Sequence, residues 1–335
     1  MKIAKKLALL LLVLGLASCN KTDNSNKTKQ ETKVEDAKNV EDENKNETSS
    51  ENKTDEDTKK EDKAFQGKYI VDTNYLSEKI GKEDVIIIDA RGEEAKKGHV
   101  KGAIAMTWQD IANVANNNPG DEGWGHILAP DELSKKLGEL GIDKNKEIIL
   151  YSTANAGWGE DGRILWELKT AGFDNLKMVD GGYQAIEKAG IETDKEEVKL
   201  DPVEVEISNI NRENVIDTKE LTENIKNYKI VDSREKEEYD GAVLYGEAKG
   251  GHLPGAVNVP YSSLYNEDGF LKSNDEIEKI FEDLGFNKDD EIVTYCTGGI
   301  RSAYMQLVLE MLGYNKVKNY EGSYYNWAKV NEVEK

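Results

Sequence analysis

The chain has 335 residues, with 45 lysines and arginines against 66 aspartates and glutamates, so that its formal net charge is −21. Such an excess of negative charge argues against binding to nucleic acid and against binding to an anionic membrane by charge alone. About 270 residues follow the polar N-terminal region described below, which suggests two domains rather than one.

The first residues are typical of an exported protein. Lysines at positions 2, 5 and 6 precede a short apolar run at 7–16, and small residues follow it. We predict a signal peptide over residues 1–18 rather than a membrane-spanning helix, because the apolar run is too short to cross a bilayer. Leu-Ala-Ser-Cys at 16–19 resembles a bacterial lipobox, and this resemblance implies cleavage before Cys19 and lipidation of its sulfur.

Lipidation of Cys19 would decide where the protein resides. Two or three acyl chains hold a protein firmly on a membrane. We therefore expect a protein that is anchored by lipid in the cell membrane and faces outside the cytoplasm. The alternative is an ordinary secreted protein in which a cysteine happens to follow the signal peptide.

Residues 19–65 form the next segment, which we predict to be a lipidated, disordered tether. It is built almost wholly of Asn, Thr, Ser, Lys, Asp and Glu, so it cannot bury a core. A coil of this length has a root-mean-square reach on the order of 40 Å, which would lift the folded part clear of lipid headgroups.

An internal repeat with an offset of roughly 140 residues organises the rest of the chain. Each copy contains, in the same order, a strand that ends in an acid and an arginine, a Gly-His turn, an amphipathic helix, a second strand and a closing glycine turn. These segments are residues 85–91, 98–103, 133–141, 147–151 and 179–183 in the first copy, and 230–234, 251–256, 277–285, 291–295 and 320–324 in the second.

The repeat predicts two α/β domains. Strands that are apolar throughout and alternate with amphipathic helices indicate a parallel sheet covered on both faces. We place the first domain at residues 66–195 and the second at 214–335. A linker rich in Glu, Lys and Asn, residues 196–213, connects them.

One thiol stands out in this core. The sequence contains two cysteines, and lipidation of Cys19 would leave Cys296 with no partner for a disulfide. A lone thiol outside the cytoplasm oxidises readily. Its presence therefore indicates a chemical role for Cys296.

The surroundings of Cys296 predict a reactive thiolate. A β-branched strand ends at this residue, a loop with Gly298 and Gly299 follows, and a helical pattern then begins. This layout directs backbone N–H groups and the positive end of a helix dipole at one point. A thiol placed there has a depressed pKa, and the glycines let amides surround a bound anion or a charged sulfur.

Four motifs in this order and spacing resemble those of a tandem-domain rhodanese, a sulfurtransferase. They are Asp-Ser-Arg at 232–234, Gly-His-Leu-Pro-Gly-Ala-Val-Asn at 251–258, Cys-Thr-Gly-Gly-Ile-Arg at 296–301 and Tyr-Glu-Gly-Ser at 320–323. The resemblance covers residues 66–335. It implies a doubly wound parallel sheet of five strands in each domain, with an active site at the carboxyl ends of the strands.

The resemblance also implies a reaction. Cys296 would take the sulfane sulfur of a small anionic donor such as thiosulfate, hold it as a persulfide, and pass it to a thiophilic acceptor such as cyanide or a thiol. Binding of the donor and of the persulfide would involve Thr297, Gly298, Gly299, Ile300, Arg301, Asp232 and Arg234. Arg301 would supply positive charge, and Asp232 would accept hydrogen bonds from the loop, unless Asp232 and Arg234 are simply a structural ion pair. We expect no cofactor, no metal and no nucleic acid.

The length of the cysteine loop favours sulfur transfer, but the sequence does not identify the sulfur donor. Four residues separate Cys296 from Arg301, whereas phosphatases and arsenate reductases of this fold have five, so sulfur is favoured over phosphate or arsenate. The loop matches neither the thiosulfate type nor the 3-mercaptopyruvate type of the family. Glu235, Glu237 and Glu238 stand near the place where some members have an arginine, and an acidic rim there would repel thiosulfate. A 3-mercaptopyruvate sulfurtransferase and a non-turnover persulfide carrier or sensor remain alternatives.

The first domain has lost the nucleophile. Ser152 takes the place of Cys296, and the loop from there to Arg163 is longer. A serine without a basic partner is a poor nucleophile, so we expect an inactive domain that helps to wall the cleft. Trp158 and the insertion at 116–124 are the candidates to reach that cleft. For His252 we expect a structural hydrogen bond rather than proton transfer.

Overall fold

The computed structural model describes residues 64–114 and 117–335. The predicted signal peptide, Cys19 and the tether as far as residue 63 lie outside this range. The tether prediction extends to residue 65, but the side chain of Phe65 is buried in the core, so the folded part begins one residue before its predicted start. No helix within the described residues has the length and apolar character needed to cross a membrane.

The elements of the first domain, in chain order, are β1 (Ile70–Val71), α1 (Thr73–Lys79), β2 (Val85–Asp89), β3 (His99–Val100), β4 (Ile104–Ala105), α2 (Pro130–Glu139), β5 (Glu147–Tyr151), α3 (Glu160–Thr170), β6 (Leu176–Val179), α4 (Gly182–Lys188) and β7 (Thr193–Asp194). Three 3₁₀ helices lie at Gly92–Lys97, Trp108–Asp110 and Ala154–Ala156. The domain contains a parallel sheet with the strand order β1-β6-β5-β2-β4 and a two-stranded antiparallel ribbon of β3 and β7.

The second domain repeats this arrangement. Its elements are β8 (Val215–Ile216), α5 (Thr218–Asn224), β9 (Lys229–Asp232), α6 (Lys236–Tyr239), β10 (Ala256–Asn258), α7 (Asn274–Asp283), β11 (Ile292–Tyr295), α8 (Ile300–Met311), β12 (Val317–Tyr320) and α9 (Ser323–Val330), with 3₁₀ helices at Ile225–Asn227 and Tyr261–Leu264. All strands of its sheet are parallel, in the order β10-β9-β11-β12-β8. This order matches that of the first sheet strand for strand, and it confirms the predicted pair of five-stranded α/β domains.

Local sequence explains the repeated elements. The central strands β5 and β11 are buried along their whole length, as expected where helices cover both faces of a parallel sheet. Asp72 and Asp217 occupy the same place in the two copies and cap α1 and α5, since each carboxylate accepts a hydrogen bond of 2.8 Å from a backbone N–H of the first turn. The internal repeat is therefore a repeat of structure.

The two domains share one continuous hydrophobic cluster. Helices α3 and α8 pack against each other across the interface, and Gly162 on α3 makes this possible because a Cβ there would overlap the Tyr304 ring. The linker follows the surface of the first domain, where Val203 N donates to Gly138 O at 3.0 Å. The cleft between the domains thus has walls fixed by a packed core.

Candidate active site

Cys296 lies directly after β11, at the carboxyl end of the sheet, and α8 begins four residues later. Its side chain is 1% exposed, and the Gly299 N–H donates to its Sγ at 3.2 Å. Gly299 has a φ of +83°, a conformation that favours glycine and that turns the chain back over the sulfur. Of the amides that we predicted to surround the thiol, that of Gly299 therefore contacts its sulfur.

The environment of the thiol favours its ionised form. Burial by itself raises the pKa of Cys296, but the Arg301 guanidinium and the nearby groups of Ser302 and Gly298 outweigh this effect and hold the pKa below its usual value. A positive charge and backbone N–H groups stabilise a thiolate more than a thiol. Cys296 is thus prepared to act as a nucleophile.

Arg301 is held by a carboxylate. Its Nη1 and Nη2 donate to the two carboxylate oxygens of Glu238 at 2.7 and 2.9 Å, and Nη2 also donates to Thr297 Oγ1 at 2.9 Å. Thr297 in turn donates to Glu238 at 2.8 Å. Arg301 therefore offers less net charge to an anionic donor than we expected. Buried charges persist only when they are paired in this way.

Glu238 does not belong to an acidic rim. It is fully buried, and of the three glutamates predicted to form that rim only Glu237 is exposed. Glu235 is half-buried and accepts a hydrogen bond of 3.0 Å from Ser262 Oγ. The negative charge of this segment therefore acts on Arg301 inside the site rather than on approaching anions outside it.

Asp232 and Arg234 form a buried ion pair at the end of β9. Arg234 Nη2 lies 2.6 Å from Asp232 and also donates to Gly251 O at 2.8 Å, while its guanidinium stacks 3.8 Å from the centre of the Tyr324 ring. The hydrogen bonds of the Asp232 carboxylate come from Arg234 and Tyr295, not from the cysteine loop.

The first domain repeats this ion pair without a catalytic thiol. Arg91 Nη2 lies 2.6 Å from Asp89 and 2.6 Å from Gly98 O, and its guanidinium stacks 3.3 Å from the centre of the Tyr183 ring. Neither Asp232 nor Arg234 lines the pocket at Cys296. We infer that the pair clamps the Gly-His turn to the strand end in both domains.

Arg163 reaches the cysteine loop from the first domain, a contact that the sequence did not reveal. Its buried guanidinium donates to Gly299 O at 3.0 Å and to Gly125 O at 2.5 Å, and it pairs with Glu167 at 2.6 Å. In a trans peptide the C=O and the N–H point in opposite directions. The Gly299 carbonyl and the Ile300 N–H belong to the same peptide unit. By binding this carbonyl, Arg163 keeps the Ile300 N–H directed away from its own guanidinium.

Cys296 lies in a pocket of about 400 Å³ between the two domains. The second domain contributes most of the cysteine loop to its lining. The residues that line the pocket are Ala90, Arg91, Gly92, Thr107, Trp108, Gln109, Pro119, Trp124, Trp158, Glu160, Tyr245, Cys296, Thr297, Gly298, Ile300, Arg301 and Tyr325. Trp158 and the described part of the insertion, through Pro119 and Trp124, thus reach the cleft, although Asn116 lies outside the described residues.

Ser152 and His252, which the sequence analysis also considered, do not line the pocket at Cys296. Ser152 is buried and is not part of the pocket lining; the Tyr183 N–H donates to its carbonyl at 2.9 Å. His252 lies with Nδ1 3.1 Å from Tyr239 O and with its ring stacked on that tyrosine. Within residues 64–114 and 117–335, no cluster of three or more histidine, cysteine or acidic side chains could hold a metal ion.

Gly299→Ala is expected to slow alkylation of Cys296 and to destabilise the fold. An alanine Cβ there would lie 2.8 Å from Arg163 Nη1 and 3.1 Å from Glu321 O, in addition to the strain of its positive φ. Gly285→Ala is the matched control, because Gly285 has a φ of +81° with nothing within 4 Å of the added Cβ. Strain alone costs about 1–2 kcal/mol. Equal unfolding free energies and equal iodoacetamide rates in the two variants would contradict this account of the loop.

Arg163→Met combined with Glu167→Met is expected to slow alkylation of Cys296 in a protein that remains folded. Replacing both members of a buried ion pair with apolar groups of similar size is often nearly neutral for stability, whereas the Gly299 carbonyl loses its bond to the guanidinium. Circular dichroism would check the fold, and iodoacetamide kinetics the thiol. An alkylation rate equal to that of the unmodified protein would show that Arg163 does not position the loop.

Comparison with known proteins agrees with this geometry. The family model described as Rhodanese-like domain matches residues 72–189 and 217–330. Sulfur carrier protein TtuD of Thermus thermophilus is 29% identical over 261 residues, which cover 74% of this chain and 86% of that protein. A protein of Mycobacterium bovis named "Putative thiosulfate sulfurtransferase 1" is 30% identical over 250 residues, covering 70% of this chain and 84% of that protein.

A solved structure shares the fold. The crystal structure of SseA from Escherichia coli, described as a 3-mercaptopyruvate sulfotransferase, superposes with a TM-score of 0.67 at 26% identity and covers 76% of this chain and 98% of that one. The matched family regions coincide with the two sheets that have the same strand order. The chain therefore belongs to the rhodanese family of sulfurtransferases and contains two rhodanese domains.

Proposed function

We propose that the protein is a thiosulfate-type sulfurtransferase that carries sulfur as a persulfide on Cys296. The proposal depends on the environment of the thiol. Its sulfur accepts a hydrogen bond of 3.2 Å from the Gly299 N–H. Burial raises the pKa of Cys296, but the Arg301 guanidinium is the main influence that lowers it, and the pKa lies below its usual value. A thiolate that stands at the N-terminus of α8 and opens into a pocket is suited to attack a sulfane sulfur.

In the first step, the Cys296 thiolate attacks the outer sulfur of thiosulfate. A new S–S bond forms, the S–S bond of thiosulfate breaks, and sulfite leaves with the electron pair. The terminal sulfur of the persulfide then carries the negative charge. Amides of residues 297–301, at the start of α8, can stabilise this charge in the manner of an oxyanion hole.

In the second step, a nucleophilic acceptor attacks the terminal sulfur. The S–S bond of the persulfide breaks, and its electron pair returns to Cys296 as thiolate. Cyanide would leave as thiocyanate, and a thiolate would leave as a persulfide. No cofactor is needed for this exchange, because the sulfur is transferred without net oxidation of the protein.

Two measurements test the proposal. Incubation with thiosulfate should add one sulfur to the intact mass, mapped by peptide analysis to Cys296, and addition of cyanide should then give thiocyanate over many turnovers. Running the same assay with 3-mercaptopyruvate compares the two donors directly. A protein that acquires no sulfur from either donor would refute the proposal.

A persulfide carrier is the second candidate. Glu238 offsets part of the Arg301 charge, so a dianion such as thiosulfate gains less attraction at the floor of the pocket than an unpaired arginine would give. The Thermus relative is named a sulfur carrier protein. A carrier would accept one sulfur and hold it, giving stoichiometric loading with little thiocyanate. Sustained turnover with cyanide would exclude this candidate.

We also propose that the protein is anchored to the cell membrane through lipid on Cys19 and faces outside the cytoplasm. Support comes from the charged segment, the short apolar run and the lipobox-like residues 16–19. In bacterial cells, the chain should partition into Triton X-114 and incorporate labelled palmitate, and Cys19→Ala should do neither. Recovery of the unaltered chain only in the aqueous phase would contradict the anchor.

A further inference from the structure

The outer walls of the pocket at Cys296 are aromatic. Five rings border it, in two groups whose members stand nearly at right angles. In the first group, Trp124 lies edge-to-face with Trp108 and Tyr325, at 83° and 88°. In the second, Trp158 and Tyr245 meet at 74° with centres 5.3 Å apart. Perpendicular rings around one cavity present faces to an occupant from more than one direction.

The two aromatic groups differ in depth. The Trp124 ring lies against Gly298, where an added Cβ would approach it to 3.2 Å, so the first group covers the cysteine loop. Trp158 and Tyr245 are 45% and 39% exposed and lie at the mouth. A molecule that reaches Cys296 therefore passes beside this exposed pair of rings.

The charges in the lining do not favour an anion. Arg91 is paired with Asp89 at 2.6 Å and Arg301 with Glu238 at 2.7 Å, so buried carboxylates offset part of the charge of both arginines. Glu160 also lines the pocket; its carboxylate accepts a hydrogen bond of 3.0 Å from the backbone N–H of Trp158. Among the described residues, no lysine or arginine forms an ion pair with Glu160. The Cys296 thiolate adds a second negative charge.

Rings and a carboxylate together form a site for a cation. The face of an aromatic ring is negative and attracts ammonium or guanidinium groups, most strongly where they are desolvated. Burial raises the pKa of Glu160, because a carboxylate removed from water and without a counter-ion is destabilised in its charged form. A cation beside the carboxylate would lower this pKa again. Trp158 already has the Arg301 guanidinium 6.0 Å from its centre, at the outer limit of such contacts.

The volume of the pocket exceeds what the simplest substrates need. About 400 Å³ is within the range of sites for small organic molecules. Cyanide, an ion of two atoms, would leave most of this space to water. The aromatic walls therefore indicate an organic partner for the sulfur exchange.

We propose that the sulfur acceptor is a small organic thiol that carries a quaternary or delocalised cationic group, held against the ring pair of Trp158 and Tyr245 beside Glu160 with its thiol directed at Cys296. This inference rests on the proposed function. The acceptor thiolate attacks the terminal sulfur of the persulfide, the S–S bond to Cys296 breaks, and its electron pair returns to the Cys296 sulfur. The acceptor leaves as a persulfide, and the proton of its thiol goes to solvent.

Three thiols of similar size test the charge preference. Protein loaded with thiosulfate and freed of excess donor is mixed with thiocholine, with its neutral analogue 3,3-dimethylbutane-1-thiol, or with anionic 2-mercaptoethanesulfonate. Loss of the added sulfur is followed by intact mass, and each rate constant is divided by the fraction of thiolate present. Thiocholine should react about tenfold more efficiently than the neutral analogue, and the anion should be slowest.

Substitutions of Glu160 and Trp158 test whether the preference for thiocholine arises at the proposed site. Glu160→Gln and Trp158→Leu should each reduce the preference for thiocholine over the neutral analogue several-fold, and the double variant should bring it near unity. Glu204→Gln, which removes the same charge from the exposed linker, should leave the preference unchanged. Because the readout is a ratio of two thiols on the same variant, a general loss of activity does not imitate it.

The outcomes separate this inference from the proposed function. A protein that takes no sulfur from thiosulfate or from 3-mercaptopyruvate refutes the proposed function. A protein that loads normally but reacts equally with thiocholine and its neutral analogue overturns the cationic acceptor alone. A preference for thiocholine that survives in the double variant also overturns it, because the cation would then be recognised elsewhere.

Discussion

Replacing Cys296 with alanine is expected to lower sulfur transfer from thiosulfate to cyanide by at least about a thousandfold, the scale on which loss of a nucleophile acts. The thiol is the group that would form the persulfide, and Cys296 is the single cysteine among the described residues. The side chain is small and buried, so the cost in stability should be about 1 kcal/mol. Thiocyanate formation measures the first quantity and thermal unfolding the second.

Ser152→Ala is the matched control for this substitution. Ser152 occupies the corresponding place in the first domain and is equally buried, so the variant removes a similar atom from a similar position. It should retain transfer activity near that of the unaltered protein. Appreciable thiocyanate formation by Cys296→Ala, or loss of activity in Ser152→Ala, would assign the chemistry to a different residue.

Arg301→Met should both slow the reaction and destabilise the protein. The guanidinium is the largest influence that lowers the Cys296 pKa against burial, so its removal raises that pKa and leaves less thiolate at neutral pH. We expect alkylation at pH 7 to slow by roughly tenfold or more. Glu238 would be left buried without its partner, at a cost of about 3–5 kcal/mol. Iodoacetamide rates measured from about pH 5 to about pH 10, a range that includes the ordinary thiol pKa of about 8.5, would show the rise in the Cys296 pKa.

Two further variants separate charge from stability at this ion pair. Adding Glu238→Gln to Arg301→Met removes the unpaired carboxylate and should restore much of the stability without restoring the low thiol pKa. Glu238→Gln alone leaves the Arg301 charge uncompensated at the pocket, so KM for thiosulfate should fall. If Arg301→Met titrated like the unaltered protein, the backbone amides alone would account for the reactivity of Cys296.

The repeat and its strands were predictable because the relevant forces are local. Strands β5 and β11 are apolar at nearly every position, which is the pattern of a strand buried on both faces. Gly298 and Gly299 follow the second of these strands, and a glycine with positive φ is what the turn into α8 requires. Strand, loop and helix could therefore be placed in order without knowledge of any tertiary contact.

The role of Glu238 could not be predicted in the same way. In the sequence it is one of three glutamates in a short segment, which suggests a solvated surface. In the structure α6 turns this one side chain inward, to a guanidinium that lies 63 residues further along the chain. The energy of a buried ion pair outweighs the preference of a carboxylate for water only when the partner is correctly placed.

The sequence by itself determined that this protein has two duplicated α/β domains and one thiol at the start of a helix, because strand periodicity, glycine turns and helix polarity act over a few residues. Only the tertiary structure decided what surrounds that thiol. Arg163 holds the Gly299 carbonyl from the other domain, and Trp124 and Trp158 meet Tyr325 and Tyr245 across the cleft. Such contacts arise from the packing of α3 on α8, which joins residues far apart in the chain and therefore leaves no local pattern to read.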